Sequence, residues 1–256
     1  MDGAGLTLFL YIAARMSGFV LFNPLLGRRN IPTIFRSGLV LVLAVTVFSV
    51  TNQEVTVPAT TVELIVRMFL ELVLGFFLGM AVNFFFLIPQ LAGEVIDTQM
   101  GTTMNQIYDA SSQANLSTTG VALNVLMTLL FFAANGHNTL IRILMTSGQA
   151  VPFGAVGFGE QFYGAMLQLF VQCVVLAVKL SMPVLAAELV GEVGVGVLMK
   201  VIPQINVFAI NIELKVIIGL VLVCLLIAPF SEFLLQAEQQ MLGSLSELLT
   251  LTNTAG

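Results

Sequence analysis

The fold of this chain is decided by a short polar break that reads Lys200-Val201-Ile202-Pro203-Gln204-Ile205-Asn206-Val207-Phe208. Apolar segments at 161–199 and 207–242 flank the break, and each is longer than a bilayer requires. Pro203 has no backbone N–H and disfavours helical geometry in the preceding residue. The pattern predicts a helical hairpin whose polar tip contacts another protein, because polar side chains gain nothing from lipid. The predicted contact residues are Lys200, Pro203, Gln204, Asn206 and Phe208.

The composition is that of an integral membrane protein. Of 256 residues, 58% are hydrophobic and 9% are charged, whereas a soluble domain carries about 25% charged residues. So few charges cannot cover a soluble surface. The net charge of −5, without a basic patch, argues against a nucleic-acid partner.

Four further apolar segments precede the hairpin, at 5–25, 37–52, 64–88 and 121–134. Six spans would place both termini outside, because the basic cluster of Arg28, Arg29 and Arg36 favours a cytoplasmic loop. Within the third segment, Arg67 and Glu71 are four residues apart and are expected to pair. The residues after Leu242 are expected to form a short, frayed polar tail.

The stretch 91–120 is too polar to face lipid. Glu94 and Asp97 lie three residues apart, on one face of a helical turn, and a run of Ser, Gln, Asn and Thr follows. Two interpretations remain open. The stretch is either a disordered aqueous loop or a segment that lines or plugs an aqueous passage.

Charged residues also interrupt the apolar hairpin. Glu188 and Glu192 have i, i+4 spacing, and Lys179, Glu213 and Lys215 share the same apolar surroundings. Such residues face a protein interior or water. A proton relay and contacts to partner subunits are the two interpretations, and the scatter of charges favours partner contacts.

The residues indicate no catalytic, cofactor or metal site. His137 is the single histidine, and no Cys or carboxylate lies at metal-ligand spacing from it. Cys173 and Cys224 lie in apolar runs and are expected to be buried hydrophobic residues. No nucleophile or phosphate-binding motif occurs in a suitable context, so we do not expect an enzyme.

Four ordered motifs carry a resemblance that covers essentially the whole chain. They are Gln90-Leu91-Ala92-Gly93-Glu94 with Gln99-Met100-Gly101; Asn135-Gly136-His137 with Leu140-Ile141; Val151-Pro152-Phe153-Gly154; and Pro203-Gln204-Ile205-Asn206-Val207-Phe208 followed by Leu214-Lys215 and Gly219-Leu220. In this order they resemble the FliR family of flagellar export-gate membrane proteins, whose virulence counterpart is SctT (SpaR).

The resemblance implies an all-α membrane protein built from bent helical hairpins. One membrane domain would cover 1–256, with a FliP-like part at 1–160, a FliQ-like hairpin at 161–242 and a tail at 243–256. FliP and FliQ would be its partners in a channel that exports unfolded flagellar proteins. The channel would lie in the bacterial inner membrane at the flagellar basal body, with the hairpin tip near the FlhB switch protein.

The resemblance also implies a channel plug within 102–124. Its candidate residues are Met100, Gly101, Met104, Asn105, Gln106, Tyr108 and Asp109. The chain departs from the family pattern at Ala110, where Pro usually follows Asp, and at Glu213, where Pro usually precedes Leu-Lys. Two alternatives to flagellar export stay open: a virulence type III secretion subunit and a small secondary transporter that uses the carboxylates.

Overall fold

A computed structural model describes residues 3–26, 31–51, 53, 55–102, 117–201 and 207–253. Every regular element in these ranges is helical, which confirms the predicted all-α class. The helices are α1 (Gly3–Phe22), α2 (Thr33–Val50), α3 (Thr61–Met100), α4 (Thr118–Ala133), α5 (Gly136–Ala150), α6 (Glu160–Val201), α7 (Val207–Leu225) and α8 (Ile227–Asn253). The predicted hairpin tip at 202–206 lies outside the described residues.

Two helices are much longer than a bilayer is thick. α3 has 40 residues and α6 has 42, which correspond to about 60 Å of helix against a hydrocarbon core of about 30 Å. Each contains an internal proline, Pro89 or Pro183. Helices of this length extend beyond the hydrocarbon on one side or both.

Four helices in the described ranges are long and apolar enough to cross a membrane: Gly3–Phe22, Thr33–Val50, Thr61–Met100 and Glu160–Val197. The count rises to six if each of two bent helix pairs forms one span; these are Thr118–Ala133 with Gly136–Ala150, and Glu213–Leu225 with Ile227–Thr252. The 16 residues of α4 reach only about 24 Å. The segment predicted at 121–134 is therefore too short to span by itself.

The chain forms two compact units that are interleaved in sequence. Unit 1 comprises the described residues of Met1–Phe85, Asn135–Val171 and Glu238–Gly256, and unit 2 those of Phe86–Ala134 and Gln172–Ala237. Each unit draws on residues from several parts of the chain. The predicted division into a FliP-like and a FliQ-like part stays a prediction.

In unit 1, glycines let α1 approach α3 closely. A Cβ on Gly18 would overlap the backbone of Leu72, and a Cβ on Gly75 would overlap the backbone of Arg15. α1 also packs along α2. Aromatic side chains extend this core, since Phe77 makes edge contacts with Phe158 and Phe162. The three rings belong to α3, to the segment before α6 and to α6 itself.

Three predictions about local structure are wrong. The stretch 91–120 is not a loop from its start, because α3 continues through Met100. The C-terminal tail is not frayed over its length: α8 reaches Asn253 because Leu245, Leu248 and Leu249 are buried. Cys173 is buried as expected, but Cys224 is exposed.

Candidate functional site

A buried carboxylate joins the end of α3 to the start of α4 in unit 2. Asp97 is 1% exposed. Its Oδ2 accepts hydrogen bonds from Ser117 Oγ at 2.7 Å and from the Thr119 backbone N–H at 3.2 Å. Its Oδ1 accepts one from Thr119 Oγ1 at 2.5 Å. We call Asp97, Ser117 and Thr119, with Thr102, the clasp.

The sequence at the start of α4 explains why the carboxylate binds there. Ser117 is the N-cap residue, and its Oγ accepts a hydrogen bond from the Gly120 N–H at 2.9 Å. The first N–H groups of a helix have no intrahelical acceptor, and the partial positive charge at that end attracts anions. Asp97 supplies both the acceptor and the negative charge.

The C-terminal end of α3 is fixed by the same residue through its backbone. The Thr102 N–H and Oγ1 both donate to the Asp97 carbonyl, at 3.1 and 3.0 Å. Gly101 has a φ of +78°, the left-handed geometry that glycine provides after a helix end. The clasp therefore holds the two residues, 102 and 117, between which the described chain is interrupted.

α3 and α4 are close because two glycines face each other. A Cβ on Gly93 would overlap the backbone of Gly120. One turn further along α4, Asn124 Nδ2 donates to the Phe86 carbonyl at 3.1 Å. The glycine contact and the Asn124 hydrogen bond together align α3 with α4. In this alignment Asp97 lies within hydrogen-bond distance of Ser117.

A second carboxylate in unit 2 is buried without a hydrogen bond. Glu188 is 1% exposed, and neither of its carboxylate oxygens has a hydrogen-bond partner among the described residues. Its Oε1 and the Met100 sulfur fill the space beside Gly219. One turn further, Glu192 forms an ion pair with Lys215, both partly exposed. The two predicted buried charges thus differ: one is buried and unpaired, and the other is paired at the surface.

Two of the seven predicted plug residues lie in the described part of the chain. Met100 is buried and Gly101 ends α3, whereas Met104, Asn105, Gln106, Tyr108 and Asp109 lie outside the described residues. Within the predicted range 102–124, Thr119, Gly120, Leu123 and Asn124 are helical and buried, and the plug role of the range stays a prediction.

The predicted partner contacts are mostly untested by the structure. Lys200 is exposed near the end of α6. Pro203, Gln204 and Asn206 lie outside the described residues. Phe208 lies in the first turn of α7. Lys179 and Glu213 are exposed on otherwise apolar helices.

Unit 1 contains a buried ion pair that the sequence did not reveal. Arg15 and Glu71 are both 0% exposed, and Arg15 Nε donates to Glu71 Oε2 at 2.6 Å. The guanidinium also donates to Ser147 Oγ and to the Val151 carbonyl, each at 3.1 Å. The expected Arg67–Glu71 pair is therefore wrong; Arg67 pairs with Glu63 at 2.5 Å instead.

The ion pair holds the loop between α5 and α6. Glu71 Oε1 accepts the Gly154 N–H at 2.7 Å, and the Arg15 guanidinium lies 4.2 Å from the centre of the Phe153 ring. Gln53 accepts the Phe153 N–H at 3.2 Å and donates to the Gly148 carbonyl. The Val-Pro-Phe-Gly motif is thus fixed by side chains from three other segments.

Within the described ranges, no three His, Cys, Asp or Glu side chains are grouped to hold a metal ion. The Asp97 site fixes helix ends, and the Arg15–Glu71 site fixes a loop, each within apolar surroundings. Long apolar helices with such internal fastenings define a polytopic helical membrane protein.

The profile of the family described as "Bacterial export proteins, family 1" matches residues 6–241, and the chain belongs to that family. It is 27% identical over 217 residues to the flagellar biosynthetic protein FliR of Bacillus subtilis (strain 168), covering 84% of this chain and 83% of that protein. Identity to FliR of Escherichia coli (strain K12) is 26% over 237 residues, covering 90% and 88%. The Yop proteins translocation protein T of Yersinia pestis is 27% identical over 215 residues, covering 82% and 81%. The resemblance to the FliR and SctT family is confirmed.

Proposed function

We propose that this chain is a non-enzymatic membrane subunit of the flagellar type III protein export gate. The observation that carries the proposal is the family match across residues 6–241. FliR proteins of two distant bacteria align with more than four fifths of the chain. The secondary-transporter alternative has no comparable support.

We infer that its partners are FliP-like and FliQ-like subunits and an FlhB-like switch protein, with exported flagellar proteins in transit. The bacterial inner membrane at the flagellar basal body is the corresponding location. Exposed charges support a subunit surrounded by others, since a charge at the centre of an apolar helix costs roughly 2.5 to 3.5 kcal/mol on insertion scales. Lys179 and Glu213 are such charges.

We further propose that the segment after Met100 closes the channel, through Met104, Asn105, Gln106, Tyr108 and Asp109. Its polar composition is unsuited to lipid. Both of its ends are attached to the clasp. The hairpin tip, with Lys200, Pro203, Gln204, Asn206 and Phe208, is proposed to contact a partner.

Deletion and complementation in the source bacterium test the proposal. Loss of the gene should abolish secretion of flagellar proteins and motility, and a tagged copy should restore both. The tagged chain should co-purify from detergent with FliP-like and FliQ-like subunits. A stable, monodisperse lone protein, together with normal secretion in the deletion strain, would overturn the proposal.

A virulence secretion apparatus is the second candidate. The Yop proteins translocation protein T aligns with 82% of this chain at 27% identity, the same level as the B. subtilis flagellar protein. The same deletion strain separates the candidates. Loss of flagellar proteins from the medium supports the first, and loss of other secreted proteins with intact motility supports the second.

A further inference from the structure

We propose that a groove between α3 and α6 in unit 2 receives an apolar helix of another subunit, and that this helix carries a Lys or Arg side chain that pairs with Glu94. We call this feature the α3–α6 groove. The proposal rests on the export-gate function proposed above in one respect, because the helix is assigned to a neighbouring subunit of that gate. The groove, its apolar lining and its unpaired carboxylate are features of this chain by itself.

The α3–α6 groove has a volume of about 490 Å³, and all the residues that line it belong to unit 2. Its lining is mostly aliphatic. The apolar members are Leu91 and Val95 of α3, with Val174, Ala177, Val178 and Leu185 of α6. Ala177 is buried, and a side chain as small as alanine lets another helix approach closely.

The lining residues form one stripe on each helix, because they recur three, four or seven residues apart. Two such stripes side by side make an open trough. A trough of this kind accepts residues i, i+3, i+4 and i+7 of a third helix. Val95, Val174 and Val178 are exposed, so no described part of this chain fills the trough.

Glu94 determines the charge of the occupant. It is the one ionisable side chain among the lining residues, and it is exposed. None of the three ion pairs among the described residues includes it. The neighbouring Thr98 hydroxyl donates to the Glu94 backbone carbonyl at 2.7 Å and not to the carboxylate. A cation on the occupant would therefore meet a carboxylate that has no partner in the described chain.

A helix with a basic residue fits the groove at either depth in the membrane. α3 has 40 residues, more than a bilayer requires, so the groove near its C-terminal end lies in the hydrocarbon or beyond it. In the hydrocarbon, an acyl chain would leave the carboxylate unpaired, which is unfavourable. Beyond it, the apolar lining would be exposed to water, which is typical of an interaction site. The proposed helix covers the lining and pairs the carboxylate in both cases.

The charge of unit 2 also favours a basic partner. Its described residues include six acidic side chains and three basic ones: Glu94, Asp97, Glu188, Glu192, Glu213 and Glu232 against Lys179, Lys200 and Lys215. One ion pair, between Glu192 and Lys215, joins the two kinds in the described part of the unit. Lys179 is not among the lining residues, because it lies about 100° around α6 from Val178.

The first measurement is site-specific photo-crosslinking in membranes of the source bacterium. Val178 and Val175 are replaced one at a time by p-benzoylphenylalanine. Both are exposed valines of α6, at 42% and 45%, but only Val178 lines the groove. Position 178 should give a several-fold higher yield of one adduct, and mass spectrometry should place it on an apolar helix of another subunit that contains Lys or Arg.

The alternative occupants give different adducts. An adduct to lipid alone, to a second copy of this chain, or to a helix without Lys or Arg would overturn the proposal, and so would equal adducts from positions 178 and 175. These results leave the export-gate function untouched, because secretion in the deletion strain tests that function separately.

The second measurement is charge exchange in the complete complex purified in detergent. Glu94→Lys should lower co-purification of the cross-linked subunit several-fold, and Glu94→Gln should lower it less, since the amide keeps the size and loses the charge. Glu232→Lys is the control, because Glu232 is an exposed carboxylate of the same unit outside the groove. It should have no effect.

The reciprocal change completes the exchange. Replacing the Lys or Arg of the cross-linked helix by Glu should restore co-purification with Glu94→Lys and lower it with the wild-type chain. Unchanged co-purification in Glu94→Lys, or a loss that the reciprocal change does not restore, would overturn the pairing. If Glu94→Lys does not accumulate, Glu94→Gln carries the test, and co-purification equal to wild type in that variant overturns the pairing as well.

Discussion

The buried Arg15–Glu71 pair of unit 1 and the buried Asp97 and Glu188 carboxylates of unit 2 have different partners. In unit 1 the buried Arg15 and Glu71 neutralise each other, and every contact they make is to a described neighbour. In unit 2 the buried Asp97 is bonded only by neutral donors, and Glu188 has no hydrogen-bond partner in the described residues. Unit 1 thus has an ion pair at its centre, although its Glu238 is also buried with an unbonded Oε2, whereas the buried carboxylates Asp97 and Glu188 of unit 2 form no ion pair among the described residues.

The largest expected effect comes from breaking the complete pair. Arg15→Leu would leave the Glu71 carboxylate buried without its cation, and removing one partner of a buried pair costs about 3–5 kcal/mol. The loop at Val151–Gly154 would also lose a donor. We expect the variant to be absent or strongly depleted in membranes, measured by immunoblot against the co-expressed complex.

A double variant separates charge from packing in that experiment. Arg15→Leu with Glu71→Leu removes both charges and should recover part of the lost protein, because no buried charge is left unpaired. Single-variant levels equal to wild type would show that unit 1 does not depend on the pair.

The next effect tests helix contact in unit 2. Gly93→Val places a branched side chain against the backbone of Gly120. The backbone of Gly120 cannot move aside as a side chain can. The loss of stability should therefore be about 3 kcal/mol or more, at or above the top of the usual range for overpacking. We expect loss of the assembled complex in detergent. Gly243→Val, where a Cβ meets open space, is the control, and equal behaviour of the two would contradict the contact.

The helices were largely predictable from the sequence, because long apolar runs and proline breaks mark them without tertiary information. The helix boundaries were less predictable. α3 runs on through Glu94 to Met100 because Asp97 and Met100 have buried contacts within unit 2. α8 extends past Leu242 because its leucines are covered. Composition alone records neither contact.

The candidate site was predictable only in part. Ser117 before an apolar run is a recognisable N-cap signal, and Glu94 with Asp97 stood out as paired carboxylates. Helical spacing placed both on one face, yet one is exposed and the other is buried. The partner of Asp97 lies twenty residues away and that of Arg15 lies 56 residues away. Local periodicity cannot identify such partners, so it could not show that Glu71 belongs to Arg15 and that Arg67 pairs with Glu63, which has the same four-residue spacing.

Glu188 gives a smaller effect of opposite sign. Replacing a buried carboxylate that accepts no hydrogen bond by an apolar residue of similar volume removes its desolvation cost. Glu188→Leu should therefore raise the thermal midpoint of the detergent-extracted lone chain. A lower midpoint would show that the carboxylate has a stabilising contact in the folded chain.

The same variant in the complex sharpens the comparison between units. If a neighbouring subunit supplies a cation to Glu188, Glu188→Leu should weaken co-purification of that subunit while stabilising the lone chain. Glu192→Leu is the matched control, because Glu192 already pairs with Lys215 in the same chain. Equal co-purification of wild type and both variants would show that unit 2 does not use this charge for assembly.

The smallest expected effect belongs to the half-exposed pair of unit 1. Arg67 and Glu63 have side chains 31% and 35% exposed and stand at i, i+4 on α3. Partly solvated pairs contribute about 0.2–1 kcal/mol, because solvent screens the attraction and two long side chains lose freedom. Arg67→Gln should leave the amount of complex unchanged and shift its thermal midpoint by a degree or two at most. Arg15 and Arg67 both carry a guanidinium paired with a Glu in unit 1, and they differ in burial. Comparing the losses from Arg15→Leu and Arg67→Gln therefore tests the effect of burial. A loss from Arg67→Gln as large as that from Arg15→Leu would mean that the number of ion pairs, and not their burial, governs the stability of unit 1.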